Sequence, residues 1–96
     1  MNIEEYNELV SSGVVLVDFY TDYCPPCKML SPILDQLQGV NIVKVNAADS
    51  QELSLEHKIQ NVPTLKFYKD GECVETLLGF KDKEFLQNKI NQLLEG

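Results

Sequence analysis

Two cysteines separated by two prolines, Cys24-Pro25-Pro26-Cys27, are the residues whose types and spacing best suit chemistry in this sequence. They follow a β-branched and aromatic run typical of a buried strand, and they precede a segment with helical periodicity. Cys24 is therefore expected at a helix N-cap, where a free N–H and the helix dipole stabilise a thiolate. The thiolate is the nucleophile of disulfide exchange, and Cys27 lies close enough to attack the resulting mixed disulfide. The pair predicts thiol–disulfide chemistry in which Cys24 attacks and Cys27 resolves.

The two prolines restrict which backbone group can stabilise the Cys24 thiolate. If Cys24 is the N-cap, Pro25 and Pro26 occupy the first two helical positions, whose N–H groups would lack intrahelical partners in any case. An N-cap side chain normally accepts from the second or third helical N–H. Because Pro26 has no N–H, the predicted donor is the backbone N–H of Cys27.

A zinc site is the alternative interpretation of the cysteine pair. Cys73 and His57 would raise the number of possible ligands to four. Their spacing is irregular, however, and structural zinc sites usually consist of compact paired cysteine knuckles. We favour the redox interpretation, and we expect Cys73 to be a half-buried core residue and His57 a helix-surface residue without a catalytic role.

The elements that must position the cysteines alternate between helix and strand. Asn2 and Glu5 form a capping-box pair, Pro32 is expected to kink the second helix, and Asp70-Gly71 is a strong hairpin signal. The predicted elements are a helix from Asn2 ending at Gly13, strand 14–20, helix 25–38 capped by Gly39, strand 41–46, helix 51–57, strand 64–68, strand 73–78 and helix 82–94.

Apolar residues at helical spacing predict the buried face of three helices. These residues are Ile3, Tyr6, Leu9 and Val10 in the first helix, Met29, Leu30, Ile33, Leu34 and Leu37 in the second, and Phe85, Leu86, Ile90, Leu93 and Leu94 in the last.

The order of elements predicts an α/β fold, with a mixed sheet of about four strands between helices on both faces. The chain starts in a capped helix, so no earlier strand is expected and strand 42–46 should form an exposed edge. The 96 residues suit a single domain, 1–96.

Charge and composition restrict the compartment and the partners. The chain has 8 basic residues, all lysine, and 15 acidic ones, and its net charge of -7 argues against nucleic acid and anionic membranes. No stretch is long enough to span a membrane, and the first residues lack the apolar core of a signal peptide. Three cysteines also disfavour a disulfide-stapled secreted scaffold. We expect a monomer in the cytoplasm.

Several further motifs match one known family in the right order. The chain is similar to the thioredoxin family along nearly its whole length. Two of its residues differ from the usual ones, since Tyr23 stands where the family has tryptophan and Pro25 where it has glycine. The matching segments are Cys24-Pro25-Pro26-Cys27-Lys28, Val17-Asp18-Phe19-Tyr20, Pro32, Lys44-Val45-Asn46, Val62-Pro63-Thr64, Gly71 and Gly79.

The resemblance implies a protein-disulfide reductase that works through a reversible Cys24–Cys27 disulfide and needs no other cofactor. It implies disulfide-containing proteins as substrates and a thioredoxin-reductase-like electron donor, which in this family depends on flavin and NADPH. It also implies a cis Val62–Pro63 bond facing the cysteines. The residues expected to bind substrate are Tyr23, Pro25, Pro26, Val62, Pro63 and Gly79.

Asp18 interrupts an otherwise apolar strand, which predicts that its carboxyl group is buried and has a raised pKa. The resemblance implies that it accepts the proton of Cys27 as that thiol becomes a nucleophile. Lys44, on the neighbouring strand, is expected either to pair with Asp18 or to lie exposed at the sheet edge and protect it.

Two other functions remain as alternatives. A disulfide oxidant or isomerase would need a destabilised disulfide and usually an oxidising compartment. A thioredoxin-fold binding or scaffold module would not need both Cys24 and Cys27.

Overall fold

The computed structural model describes residues 1–96 and contains four helices and four strands in the predicted order. Asn2 caps the first helix through the predicted capping box, since its side chain accepts a hydrogen bond from the Glu5 N–H. The elements are α1 Ile3–Leu9, β1 Val14–Tyr20, α2 Pro25–Leu34, β2 Asn41–Asn46, α3 Gln51–Glu56, β3 Thr64–Lys69, β4 Glu72–Leu78 and α4 Lys83–Glu95.

The four strands form one mixed sheet in the order β2-β1-β3-β4. β1 is parallel to β2 and antiparallel to β3, while β3 and β4 are antiparallel. This register places Asp18 of β1 beside Lys44 of β2 and Leu65 of β3. β2 lies at one edge of the sheet, which confirms the predicted sheet of four strands with β2 exposed along that edge.

Side chains of β1 alternate between two apolar clusters, one on each face of the sheet. Val15, Val17 and Phe19 contribute to the cluster that includes residues of α1 and α3. Val14 and Leu16 contribute to the cluster that includes residues of α2 and α4. Asp18 follows Val14 and Leu16 on the face that α2 and α4 cover. Because both faces of β1 are covered, Asp18 is only 2% exposed.

The second helix is shorter than predicted, since α2 ends at Leu34 instead of continuing to residue 38. Pro32 has no N–H to donate to the carbonyl of Lys28, which weakens the helix at this point. The next turns are tighter, because Gln36 N–H donates to Ile33 O and Leu37 N–H to Leu34 O. The first helix likewise ends earlier than Gly13, with Val10 as its C-cap.

The predicted buried faces of the helices are wider than the observed ones. The buried apolar residues lie four positions apart, as Leu30 and Leu34 do in α2 and as Tyr6 of α1 and its C-cap Val10 do. Some apolar residues that flank these pairs are only partly buried against the clusters, and others turn toward solvent, because a single sheet face contacts only a narrow stripe of each helix. The predicted core residues that are instead exposed are Leu9 at 49%, Met29 at 62%, Phe85 at 40% and Leu94 at 54%.

One further expectation about a single residue is wrong, and another is met only in part. Cys73 is exposed instead of half-buried, because β4 is an edge strand on which every residue is exposed or half-buried. His57 does not project freely from the helix surface, since its ring packs 4.6 Å from the Tyr6 ring and 5.8 Å from the Phe19 ring. No helix in the structure has both the length and the apolar character that crossing a membrane requires.

The buried hydroxyl groups of Tyr6 and Tyr68 lie 2.6 Å apart and satisfy each other, which links α1 to the sheet. Tyr6→Phe removes one partner and leaves the Tyr68 hydroxyl unsatisfied, so we expect it to lower the free energy of unfolding by about 1–3 kcal/mol. Tyr6→Phe/Tyr68→Phe should recover part of this loss, since no unpaired hydroxyl remains. Urea unfolding measures both effects.

Tyr23→Phe is the matched control, because it deletes the same atom from a side chain that is 94% exposed. A stability loss in Tyr23→Phe as large as in Tyr6→Phe would contradict this account of the buried pair.

Candidate functional site

Cys24 is the N-cap of α2, with Pro25 and Pro26 at the first two helical positions. Its Sγ accepts a hydrogen bond from the backbone N–H of Cys27 at 3.2 Å, the donor that the two prolines leave in reach. Both cysteines are buried, with 6% and 3% of their surfaces exposed. Cys24 Sγ also lies 3.6 Å from the carbonyl oxygen of Val62, which places the sulfur against a second loop.

The two cysteines form a disulfide, with their Cα atoms 5.2 Å apart. One helical turn therefore brings the sulfurs into bonding range without moving the backbone. The pair carries two electrons in its reduced dithiol form and gives them up when the disulfide forms. No group of three or more histidine, cysteine, aspartate and glutamate side chains in the structure could hold a metal ion.

Asp18 lies on β1 and lines a cavity of about 230 Å³ that also reaches Cys27. Its Oδ1 atom is buried and has no hydrogen-bond partner. Burial raises the pKa of the Asp18 carboxyl group to about 6, while the positive charge of Lys44 acts in the opposite direction. This agrees with the predicted burial and direction of the pKa shift. The cavity is lined by Asp18, Tyr20, Thr21, Asp22, Cys27, Lys28, Ser31 and Lys44.

Lys44 lies at the sheet edge, as in one of the two alternatives considered for it, but it does not pair with Asp18, as the other requires. It lies on edge strand β2 with 34% of its side chain exposed, yet it also lines the cavity beside Asp18. Its ammonium group forms no ion pair with Asp18 and instead donates to Ser31 Oγ at 2.9 Å and to Asp35 Oδ1 at 3.2 Å. The positive charge of Lys44 therefore acts on Asp18 electrostatically, without a hydrogen bond or an ion pair between the two side chains.

The Val62–Pro63 peptide bond is cis, as expected from the resemblance. Pro63 is buried, and its carbonyl oxygen accepts a hydrogen bond from the Gly79 N–H at 2.9 Å. Gly79 has a φ of 82°, a conformation that glycine adopts without steric cost. The structure thus links Val62, Pro63 and Gly79 to one another and to Cys24, whereas Tyr23, Pro25 and Pro26 are exposed beside the cysteine.

Sequence reasoning missed Ser31 and Asp35. A usable signal was present, because Cys27, Ser31 and Asp35 are spaced four residues apart and so lie along one side of α2. What the sequence could not indicate was that Lys44 of β2 would reach these two side chains.

Comparisons with known proteins agree with this arrangement. The Thioredoxin family model matches residues 1–92. A thioredoxin from Chlamydia pneumoniae is 41% identical over 93 residues, which cover 93% of this chain and 91% of the relative. A thioredoxin from Bacillus subtilis is 41% identical over 96 residues, covering 95% of this chain and 92% of the relative. A solved mutant thioredoxin from Halobacterium salinarum has a TM-score of 0.87 at 34% identity, covering 94% of this chain and 83% of the other.

The raised pKa of Asp18 makes stability depend on pH. Because the folded-state pKa of about 6 exceeds the ordinary 3.8, ionisation of Asp18 costs stability progressively between these two pH values. Asp18→Asn removes this cost, so we expect it to raise the free energy of unfolding by up to about 3 kcal/mol above pH 6 and to change it far less below pH 4.

Urea unfolding at about pH 4 and about pH 8 measures this difference. Asp49→Asn, which neutralises an exposed carboxylate, is the control. An Asp18→Asn gain of equal size at both pH values would contradict the argument.

Pro25 lacks the backbone N–H that the glycine usual in the family would place next to the Cys24 thiolate. Restoring that donor should stabilise the reduced form, so we expect Pro25→Gly to raise the reduction potential by roughly 10–30 mV. Equilibration of both proteins with glutathione buffers measures the change. A lower potential in Pro25→Gly would show that the donor is not the dominant effect.

Proposed function

The chain belongs to the thioredoxin family and is a thiol–disulfide oxidoreductase that reduces protein disulfides; we propose that Cys24 is its nucleophile, Cys27 its resolving thiol and Asp18 its proton acceptor. The observation that carries the roles of the two cysteines is the hydrogen bond from Cys27 N–H to Cys24 Sγ at the start of α2. It stabilises negative charge on Cys24 Sγ in particular, which distinguishes the two cysteines chemically.

The reaction starts from the reduced protein. The Cys24 thiolate attacks one sulfur of a substrate disulfide, a new bond forms between Cys24 and the substrate, and the other substrate sulfur leaves as a thiolate. Cys24 is buried except for 6% of its surface, so attack is confined to disulfides that can approach its exposed side.

The second step releases the substrate. Cys27 gives its proton to the Asp18 carboxylate, and the resulting thiolate attacks Cys24 Sγ. The mixed disulfide breaks, the second substrate sulfur leaves and takes up a proton, and the Cys24–Cys27 disulfide forms. Asp18 suits this role because it reaches the same cavity as Cys27 and because burial raises the pKa of its carboxyl group toward neutrality.

The substrate-binding residues that we propose surround the exposed side of Cys24. An extended substrate segment can pair with the backbone of Val62, because the proline that follows lacks an N–H and interrupts the ladder there. Gly79 adds no side chain that would obstruct the segment. Exposed apolar surface of Tyr23, Pro25 and Pro26 lines the other side.

Family membership implies disulfide-containing proteins as substrates and a thioredoxin reductase as the electron donor. We propose further that the chain acts as a monomer in the cytoplasm and does not bind nucleic acid. Its net charge of -7 disfavours polyanionic partners, and the exposed thiol of Cys73 suits a reducing compartment.

Reduction of insulin by dithiothreitol tests the function. We expect the chain to accelerate it and Cys24→Ser to abolish the acceleration. Cys27→Ser should accumulate mixed disulfides with substrate proteins, since the first step proceeds and the second does not. Each variant is prepared with Cys73→Ser, so that a trapped partner cannot be attached to the third cysteine.

Non-reducing electrophoresis followed by reduction measures the trapped partners. Trapping by Cys24→Ser instead of Cys27→Ser would reverse the proposed roles. No acceleration by the native chain would favour the scaffold alternative.

A further inference from the structure

The ammonium group of Lys44 forms its hydrogen bonds with α2 side chains and not with the buried carboxyl group of Asp18. Lys44 and Asp18 are direct neighbours across β1 and β2, and both line the same cavity. Asp18 Oδ1 nevertheless has no hydrogen-bond partner, and the ammonium group of Lys44 makes its hydrogen bonds to the side chains of Ser31 and Asp35 on α2. Two side chains of the helix thus compete with Asp18 for the nearest positive charge.

We propose that Ser31 and Asp35 are positioning residues that hold the Lys44 ammonium group on the α2 side of the cavity and away from the Asp18 carboxyl group. This inference rests on the proposed role of Asp18 as proton acceptor. It assigns the two residues a function in the resolving step without any contact with substrate.

The consequence follows from the electrostatics of a buried carboxyl group. A cation in contact with a carboxylate favours its charged form and lowers its pKa. Asp18 would then be a weaker base and a poorer acceptor for the proton of Cys27. By occupying two of the ammonium hydrogens, Ser31 and Asp35 keep the carboxyl group unpaired while still leaving a positive charge in the cavity wall.

Other charged and titratable groups also face the cavity. The last residue of β1, the loop after it and the start of α2 provide Tyr20, Asp22, Cys27 and Lys28. β3 provides the apolar residue Leu65 beside Asp18. Asp18 forms an ion pair with none of these groups, since the two ion pairs in the structure join Lys44 to Asp35 and Lys89 to Glu75. Lys44 is therefore the cation whose release would affect Asp18 most directly.

The test measures the pKa of Asp18 by NMR titration of its side-chain carboxyl carbon. The oxidised protein is used, because its disulfide-bonded cysteines do not titrate. We expect Ser31→Ala/Asp35→Ala to lower the pKa of Asp18 by about 1 unit and each single variant to lower it by less. Ser31→Ala is the informative single variant, because it frees part of Lys44 without changing any charge.

Two comparisons separate this mechanism from a direct effect of the lost carboxylate. In a Lys44→Met background the double substitution should leave the pKa of Asp18 unchanged, since there is no ammonium group to release. Glu75→Gln removes a carboxylate from the other ion pair, whose N–O distance is 3.0 Å, and should also leave it unchanged.

A pKa that stays constant or rises in Ser31→Ala/Asp35→Ala would overturn the proposal. A fall that persists in the Lys44→Met background would also overturn it.

The pH dependence of the resolution rate provides a second measurement, which would not change if Ser31 and Asp35 only stabilised the fold. The acid limb of the pH profile for resolution of the mixed disulfide should shift to lower pH by the same amount as the pKa of Asp18. A pKa shift without a shift of the acid limb would show that Asp18 is not the proton acceptor, although the positioning of Lys44 would stand. Failure of the native chain in the insulin assay would reject the proposed function and leave the NMR result unaffected.

Discussion

The hydrogen bond from Cys27 N–H to Cys24 Sγ is the local constraint on which the rest of the site depends. It starts α2 after the short loop that follows β1, and the helix packs on the sheet that contains the strand carrying Asp18. Because successive helical turns repeat about every four residues, Cys27, Ser31 and Asp35 then follow one side of α2. One capping interaction therefore orders the thiol pair, the carboxyl group and the side chains that hold Lys44.

The buried carboxyl group of Asp18 lowers the free energy of unfolding, and it is also the proposed proton acceptor. A buried carboxyl oxygen without a partner costs free energy, and a hydrophobic residue at this position of β1 would pack into the surrounding cluster without that cost. The cost is confined to one side chain, since both neighbours of Asp18 in β1 are fully buried apolar residues. Burial keeps the pKa of the carboxyl group raised, because its Oδ1 atom receives no hydrogen bond that would stabilise the negative charge.

The two sides of the cysteine pair differ in chemical character. Behind Cys27 lies a cavity with polar and charged groups, which suits proton transfer. In front of Cys24 lie the Val62 carbonyl oxygen, the buried Pro63 and exposed apolar side chains, which suit an extended polypeptide. The separation allows a substrate to cover the attacking sulfur while the resolving thiol still faces the cavity that it shares with its proposed base.

The sequence by itself determined the order of elements, the Asp70-Gly71 hairpin, the exposed edge at β2 and the placement of Cys24 at a helix N-cap. These features depend on local periodicity, on turn and cap residues and on the two prolines, all of which act within a few positions of one another. The tertiary structure alone decided that Lys44 binds Ser31 and Asp35 instead of Asp18, that His57 packs on Tyr6 and that Cys73 is exposed. Those outcomes depend on how helices pack across the sheet and on which strand lies at its edge, and contacts between residues so distant in the chain leave no local pattern in the sequence.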